Sequence, residues 1–126
     1  DLKNKYQFFK SLVEINSVFA DNQEFVRQVK SELFADKIYV YTTKGDIVEL
    51  PIGATAIDFA YKIHTDLGNT MVSAVVNDRV VEPEYVLHNK DRVRIITDIL
   101  SFGPREEWLD KVQTTRARRK IKEFRK

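Results

Sequence analysis

The alternation of apolar and polar residues in the middle of the chain predicts strands on both sides of a helix. Residues 37–43 and 47–50 are rich in β-branched and aromatic side chains, which favour strands. Lys44, Gly45 and Asp46 lie between these two runs, and a glycine between polar residues is suited to a tight turn. The sequence therefore predicts an antiparallel hairpin here.

A second hairpin and a final strand are predicted further along the chain. Residues 71–76 and 79–81 are again rich in β-branched residues, and they flank Asn77 and Asp78. Both of these residue types tolerate left-handed backbone conformations, which a two-residue hairpin turn requires. Residues 92–97 then predict the last strand.

The segment between the two hairpins predicts a capped amphipathic helix. Thr55 is a good N-cap residue, and Asp58 three positions later favours the positive end of the helix. Apolar residues recur at spacings of three and four: Ala56, Phe59, Ala60 and Ile63. Asp58 and Lys62 lie off this stripe. A helix with such a stripe needs a sheet to cover.

The end of this helix is predicted at a glycine. Gly68 is expected to end the segment because glycine readily adopts the left-handed conformation found at helix ends. Polar residues around it are then expected near the helix C-terminus or in a loop: His64, Thr65, Asp66 and Asn69.

The predicted elements together describe an α+β fold with helical flanks. The order strand, strand, helix, strand, strand, strand is that of a ubiquitin-like β-grasp sheet crossed by one helix. Residues 1–36 show helical spacing and predict two helices. After Pro104, Thr115 is expected to cap a basic helix over residues 116–126. One face of that helix is apolar: Ala117, Ile121 and Phe124.

Composition narrows the chemistry that the chain can perform. There are no cysteines among its 126 residues, which excludes disulfides, thiolate metal sites and cysteine nucleophiles, and a reducing cytoplasm is the expected setting. No apolar run approaches the roughly 20 residues of a membrane span, so no membrane partner is expected. The chain has two histidines, His64 and His88, and no His-Asp pair that would hold a catalytic metal. It also has no glycine-rich loop of the kind that binds phosphates. We therefore expect neither a cofactor nor catalysis.

The net charge of +2 is unevenly distributed. Residues 37–99 hold seven Lys/Arg and nine Asp/Glu, a balance of −2, whereas residues 104–126 hold nine and four, a balance of +5. The basic tail has two interpretations. Its apolar edge docks on a neighbour outside this chain, or its cations form a surface for RNA phosphates, since each neutralised phosphate releases counterions. The residues proposed for such a surface are Arg116, Arg118, Arg119 and Lys120.

Three blocks of the sequence resemble one known family. Residues 51–69 resemble the signature of the TGS domain, while residues 33–42 resemble the segment before that domain in long RelA/SpoT enzymes. Residues 103–109 and 114–122 resemble the segment after it. The implied organisation is a helical linker following the absent synthetase domain over residues 1–36, a TGS domain over residues 37–99, and the start of the following helical domain over residues 100–126.

This resemblance implies a regulatory role. The family makes and destroys guanosine tetra- and pentaphosphate, and its chemistry resides in N-terminal catalytic domains. The implied parent protein is a GTP pyrophosphokinase, a (p)ppGpp pyrophosphohydrolase or both, with this chain as a non-catalytic segment that contacts those domains. In ribosome-associated members the TGS domain contacts the acceptor end of deacylated tRNA. The implied partners are therefore that tRNA and the ribosome.

His64 matches the family histidine credited with the tRNA contact. An imidazole can stack on a base and hydrogen-bond through a ring nitrogen. From the residues alone, a histidine near a helix C-terminus is more often a cap that interacts with the helix dipole. Some relatives carry an arginine where Thr70 stands, so a phosphate contact by that arginine is absent here. The implied RNA-binding residues are His64, Thr65, Asp66, Gly68, Asn69 and Thr70.

Two other functions stay open on the sequence. A ubiquitin-like sheet offers an exposed face, and binding of acyl carrier protein through this region is attributed to SpoT-like members. The acidic balance of residues 37–99 does not favour such an acidic partner. An accessory domain of a threonyl-tRNA synthetase or of a translation-associated GTPase explains the β-grasp core but not the flanks.

Overall fold

The computed structural model describes residues 32–125, together with Lys5 and Lys30. It divides into two compact units, residues 1–35 and residues 36–126, and the elements below belong to the second. The two helices predicted within residues 1–36 fall largely on residues outside those described. Within the described part of the chain, no helix is long and apolar enough to cross a membrane.

Five strands form in the two predicted hairpins and the predicted final strand. Their bounds are β1 Lys37–Tyr41, β2 Ile47–Pro51, β3 Met71–Val76, β4 Arg79–Val81 and β5 Val93–Thr97. Strand β1 pairs with β2, and β3 lies between β4 and β5, all antiparallel. Both predicted hairpins are therefore confirmed.

The two hairpins meet where β1 lies beside the start of β5. Tyr41 forms a parallel bridge with Arg92, and its amide donates to the Asp91 carbonyl at 2.8 Å. The amide of Lys90 donates to the Tyr39 carbonyl at 2.7 Å. These contacts place the strands in the order β2, β1, β5, β3, β4, a mixed β-grasp sheet, as predicted.

The second hairpin turn is fixed by its asparagine. Asn77 and Asp78 have φ values of 51° and 70°, the left-handed conformations predicted for this turn. The Asn77 side chain donates to Asp91 Oδ1 at 2.8 Å and accepts from the Arg92 amide at 3.0 Å. The turn is therefore attached to the start of β5 as well as to its own hairpin.

The helices have the bounds α1 Ala56–Ile63, α2 Thr65–Thr70 and α3 Thr115–Phe124, with a 3-10 helix over Glu106–Asp110. Helix α1 begins directly after Thr55, as the sequence predicts. Phe59 turns toward the sheet and joins the main core. That core contains Ile38, Val40, Val48, Leu50, Ala54, Phe59, Val76, Leu87 and Val93.

The other side of α1 is covered by the C-terminal segment. This second core contains Ile57, Ala60, Tyr61, Met71, Trp108, Val112, Ala117 and Ile121. Ala117 and Ile121 of α3 are completely buried, and full burial of an isoleucine side chain stabilises by about 1.5–3 kcal/mol. The expectation that α3 docks its apolar edge on a neighbour outside this chain is therefore wrong for these two residues, since α1 is that neighbour.

Two-sided burial also corrects the predicted apolar stripe of α1. Ile63 was expected to face the sheet, but its side chain is 42% exposed, whereas Asp58, expected off the stripe, is fully buried. A single apolar stripe is the pattern of a helix that is buried on one face only. Here the sheet covers one face and α3 the other, so Ile57 and Tyr61 are buried as well.

Asp58 joins the start of α1 to the start of α3. Its Oδ2 accepts from the amides of Thr55 at 2.9 Å and Gln113 at 3.0 Å, and its Oδ1 accepts from the Thr114 amide at 3.0 Å. The Thr114 hydroxyl donates to Oδ1 at 2.9 Å. Burial raises the pKa of the Asp58 carboxyl, and these hydrogen bonds oppose that rise.

The cap of α3 is Thr114, so the prediction of Thr115 is wrong by one residue. The Thr114 hydroxyl accepts from the Ala117 amide at 3.2 Å while it donates its proton to Asp58. A contact between residues 56 positions apart thus selects between two adjacent threonines that local preferences treat alike.

Replacing the carboxylate at this junction should destabilise the fold. Asp58→Asn keeps the shape but points an N–H₂ group at groups that donate, so we expect the free energy of unfolding to fall by about 1–3 kcal/mol. Urea titration followed by the fluorescence of Trp108, the single tryptophan, measures this. Glu49→Gln, at an exposed position of β2, is the control and should change stability by less than about 0.5 kcal/mol. An Asp58→Asn protein as stable as the parent would contradict the assignment.

Candidate nucleic-acid interface

His64 stands at a sharp corner between α1 and α2. Its backbone is extended, with φ −164° and ψ 141°, so α1 ends and α2 starts on either side of it. Its Nδ1 accepts from the Asp66 amide at 3.1 Å. His64 therefore caps both helices: its backbone amide donates to the Ala60 carbonyl at 3.0 Å at the C-cap of α1, and its side chain caps the N-terminus of α2. A cap at the C-terminus of α1 was expected from the sequence, whereas the side-chain cap of α2 was not.

The His64 ring is oriented by this contact yet remains accessible. Because Nδ1 accepts a hydrogen bond, the neutral ring carries its proton on Nε2. The side chain is 65% exposed, and Asp66 Oδ2 lies 3.7 Å from Nδ1 with its side chain 85% exposed. A ring face, a donor and a carboxylate are thus available together at the corner.

Gly68 does not end the helix. It lies inside α2 with a right-handed backbone, and it is buried. A Cβ at this position would collide with the ring of Tyr61, so the requirement for glycine comes from close approach. The sequence reasoning assigned Gly68 to a helix end because it considered only the conformational use of glycine.

Tyr61 is the residue at this corner that sequence reasoning missed. Its ring is buried against Gly68, and its hydroxyl donates to Asn69 Oδ1 at 2.8 Å. Burial raises the pKa of the phenol, so Tyr61 remains a neutral donor. A signal existed in the sequence, since Ile57 and Tyr61 are one helical turn apart and form a second apolar row on α1.

The six predicted RNA-binding residues divide by exposure. His64 and Asp66 are exposed, Gly68 is buried, and the other three are half-buried. The Thr70 hydroxyl donates to the Asp66 carbonyl at 2.6 Å, and the Asn69 amide oxygen accepts from Tyr61. The structure thus brings all six to one corner, with His64 and Asp66 outermost. Their role in RNA binding stays a prediction.

The helix that carries the predicted basic residues packs beside this corner. Helix α3 packs against both α1 and α2, and Leu67 of α2 contacts the core that holds Ile121. Among the four basic residues predicted for this surface, Arg116 and Arg119 are exposed. Half-buried Arg118 donates to the Val112 carbonyl at 3.4 Å; the Lys120 ammonium lies 3.4 Å from Glu123.

Elsewhere in the described part of the chain, acidic side chains and histidines do not form a metal site. Among the described residues there is no group of three or more His, Cys, Asp or Glu side chains that could hold a metal ion. His88 is a surface residue, with 72% of its side chain exposed and Nδ1 3.8 Å from Asp91 Oδ2.

Comparison with known proteins assigns the family. The TGS domain model matches residues 38–97. A GTP pyrophosphokinase of Myxococcus xanthus is 41% identical over 120 residues, which are 95% of this chain and 16% of that protein. A guanosine-3′,5′-bis(diphosphate) 3′-pyrophosphohydrolase of Haemophilus influenzae is 44% identical over 118 residues, 94% of this chain and 17% of that protein. The chain is a TGS-containing segment of the RelA/SpoT type.

The match to the TGS domain covers the sheet, α1 and the His64 corner, whereas α3 lies beyond residue 97. The relatives extend the similarity to about 95% of the chain, although the chain spans only about a sixth of their length. Among solved structures, a GTP binding protein of Pyrococcus horikoshii is similar over 60% of this chain and 25% of its own, with 29% identity and a TM-score of 0.48.

The contact between Tyr61 and Gly68 can be tested by a double-mutant cycle. Gly68→Ala should lower the free energy of unfolding by about 1–3 kcal/mol because the methyl group overlaps the Tyr61 ring. In a Tyr61→Leu protein the overlap is gone, and the same change should be neutral or stabilising by up to about 1 kcal/mol, as alanine is the better helix former. Denaturant unfolding of the four proteins measures the coupling. Equal effects of Gly68→Ala in both backgrounds would show that the ring does not impose the glycine.

Proposed function

We propose that this chain is the regulatory TGS region of a (p)ppGpp synthetase/hydrolase and that its His64 corner binds the 3′ acceptor end of deacylated tRNA on the ribosome. The names of the Myxococcus and Haemophilus relatives support the parent activity. Since this chain spans about a sixth of their length, synthesis and hydrolysis are proposed for parts of the parent protein outside it. The outward His64 ring, fixed by the Asp66 amide, is the observation that carries the tRNA proposal.

The chemistry of the corner suits the end of an RNA chain. The exposed imidazole can stack on an unpaired base, a contact worth about 1–3 kcal/mol, while Nε2–H donates to a ribose or base oxygen. Asp66 adds an acceptor for a ribose hydroxyl and repels phosphate. A free 3′ ribose presents two hydroxyl groups and no terminal phosphate, which matches this combination.

Discrimination against aminoacylated tRNA follows from the same contacts. Esterification converts one terminal hydroxyl into an ester, which removes a donor to Asp66 and adds bulk beside His64. The corner has little freedom to adapt, because Gly68 packs on Tyr61 and Asn69 is held by the Tyr61 hydroxyl. An aminoacyl group should therefore weaken binding.

General attraction for RNA is proposed to come from α3. Residues 37–99 carry a balance of −2 and residues 104–126 a balance of +5, so the TGS sheet itself offers little attraction for phosphates. Helix α3 packs beside α2, where its exposed Arg116 and Arg119 can meet the RNA backbone. We infer that they supply phosphate contacts that the uncharged Thr70 does not make.

A variant that keeps the cap but removes the ring separates the two roles of His64. Asparagine is a preferred N-cap residue, so His64→Asn should preserve α2 and lose the base stack. We expect deacylated tRNA to bind more weakly by about 1–3 kcal/mol and the preference over aminoacyl-tRNA to shrink. Fluorescence anisotropy with matched deacylated and aminoacylated tRNA measures both effects.

His88→Asn is the matched control, because His88 is equally exposed and is also next to a carboxylate. It should bind both tRNA forms as the parent does. If His64→Asn retains full affinity and full discrimination, then His64 is only a cap, and the proposed contact with tRNA is wrong.

If α3 binds phosphates, then substitutions in α3 should affect both tRNA forms alike, unlike the substitution of His64. The double substitution Arg116→Gln with Arg119→Gln should weaken the binding of deacylated tRNA and of aminoacylated tRNA by the same factor. The slope of log K against log salt should also fall, by up to about 0.7–0.9 for each phosphate that is no longer neutralised. Anisotropy titrations at several salt concentrations measure this. An unchanged salt slope, or an effect on one tRNA form alone, would show that these arginines do not bind phosphates generally.

A further inference from the structure

A groove lies between the TGS domain and the segment that follows it, and none of the residues 64–70 of the His64 corner line it. It has a volume of about 540 Å³ and runs between residues 82–84 and the loop of residues 98–103. A second depression over β3 and β4 is also lined by Val72, Glu82, Pro83 and Glu84, so the two depressions are adjacent. We call the two adjacent depressions together the acidic groove.

Large apolar side chains are exposed along the acidic groove. Phe102 is fully exposed and Leu100 is 80% exposed, on the loop side. On the strand side Val80 is 71% exposed and Val72 is 45% exposed. Contiguous exposed apolar surface with an aromatic residue is typical of protein interaction sites.

The loop that displays Leu100 and Phe102 is held in place by hydrogen bonds. Asp98 Oδ1 accepts from the Leu100 amide at 2.9 Å, and the Asp98 carbonyl accepts from the Ser101 amide at 2.9 Å. Gly103 ends the loop with φ 93°, and the ring of Phe124 packs over it. A preorganised loop loses little conformational entropy when a partner binds.

The charges of the groove specify the partner. Three carboxylates line it, those of Glu82, Glu84 and Asp98, against the guanidinium of Arg105. This excess of negative charge repels RNA phosphates, and it also repels an acidic protein such as acyl carrier protein. A partner with apolar side chains flanked by Lys or Arg complements it.

We propose that the acidic groove binds a basic amphipathic helix of a protein partner. Strand addition is poorly supported, because the neighbouring edge strand β4 has three residues and is followed by Pro83. A helix can place its apolar face on Phe102 and Leu100 and its cations near Glu82 and Glu84. The groove shares no lining residue with the proposed tRNA contact, although the Asp98 amide donates to the Thr70 carbonyl at 2.9 Å. The proposal does not depend on that contact.

The proposal is tested with the 126-residue chain and a labelled model peptide. The probe is a helix of about five turns with leucines on one face and lysines on the other. A scrambled peptide of the same composition and a Leu/Glu version are the peptide controls. Fluorescence anisotropy should show binding of the Leu/Lys helix, at least about tenfold weaker binding of the scrambled peptide, and none of the Leu/Glu version.

Variants locate the contact. The double variant Phe102→Ser with Leu100→Ser should weaken binding of the Leu/Lys peptide roughly tenfold or more, as expected when anchor side chains are lost. The double variant Glu82→Lys with Glu84→Lys should also weaken binding of this peptide, and it should make the binding less dependent on salt. The matched control is Ile47→Ser with Glu49→Lys, an exposed apolar and acidic pair on β2, which should have little effect. All of these residues are exposed except Glu84, which is half-buried, and circular dichroism checks that each variant is folded.

Three results would overturn the proposal. One is equal weakening by the β2 variant and the groove variants, which would mean non-specific attraction. Another is binding of the Leu/Glu peptide through Phe102, which would favour an acidic partner. The third is self-association of the parent chain that Phe102→Ser abolishes in analytical ultracentrifugation, since the groove would then bind a second copy of this chain.

Discussion

The buried carboxylate of Asp58 connects two parts of the chain that lie 55 residues apart and orders both. At one end it accepts from Thr55 at the start of α1, and at the other it accepts from Gln113 and Thr114 at the start of α3. Its burial requires these donors, because a buried charge without hydrogen bonds is costly. The donors in turn would be unpaired without it. Neither helix start can therefore move independently of the other.

This junction explains how a small sheet can hold the His64 corner in one shape. A β-grasp core of about 60 residues buries a limited share of its surface, and α3 adds a second core on the far side of α1. Tyr61 belongs to that second core and also contacts Gly68 and Asn69. Packing contacts thus continue from the C-terminal segment through α1 to α2, on which His64 is fixed.

The sequence predicted those features that depend on neighbouring residues. Asn77 and Asp78 identified a hairpin because their own backbone preferences decide the turn, and Thr55 identified the start of α1 for a similar reason. Prediction from the sequence failed where contacts between different secondary-structure elements decide the outcome. The burial of Asp58, the choice of Thr114 over Thr115, and the contact of Gly68 with Tyr61 all arise from tertiary packing. The His64 corner itself was found by resemblance, while its role as the cap of α2 required the structure.

The central claim is that the outward face of His64 and Asp66 meets a free RNA 3′ end. The most direct measurement is an NMR titration of the labelled chain with an acceptor-stem hairpin ending in a free 3′ ribose, against the same hairpin with a 3′-phosphate. The account predicts that the Asp66 amide and the His64 Nε2 signals shift with the free end and far less with the phosphate, because Asp66 repels it. Equal shifts with both hairpins, or shifts confined to α3, would contradict recognition of the 3′ end at this corner.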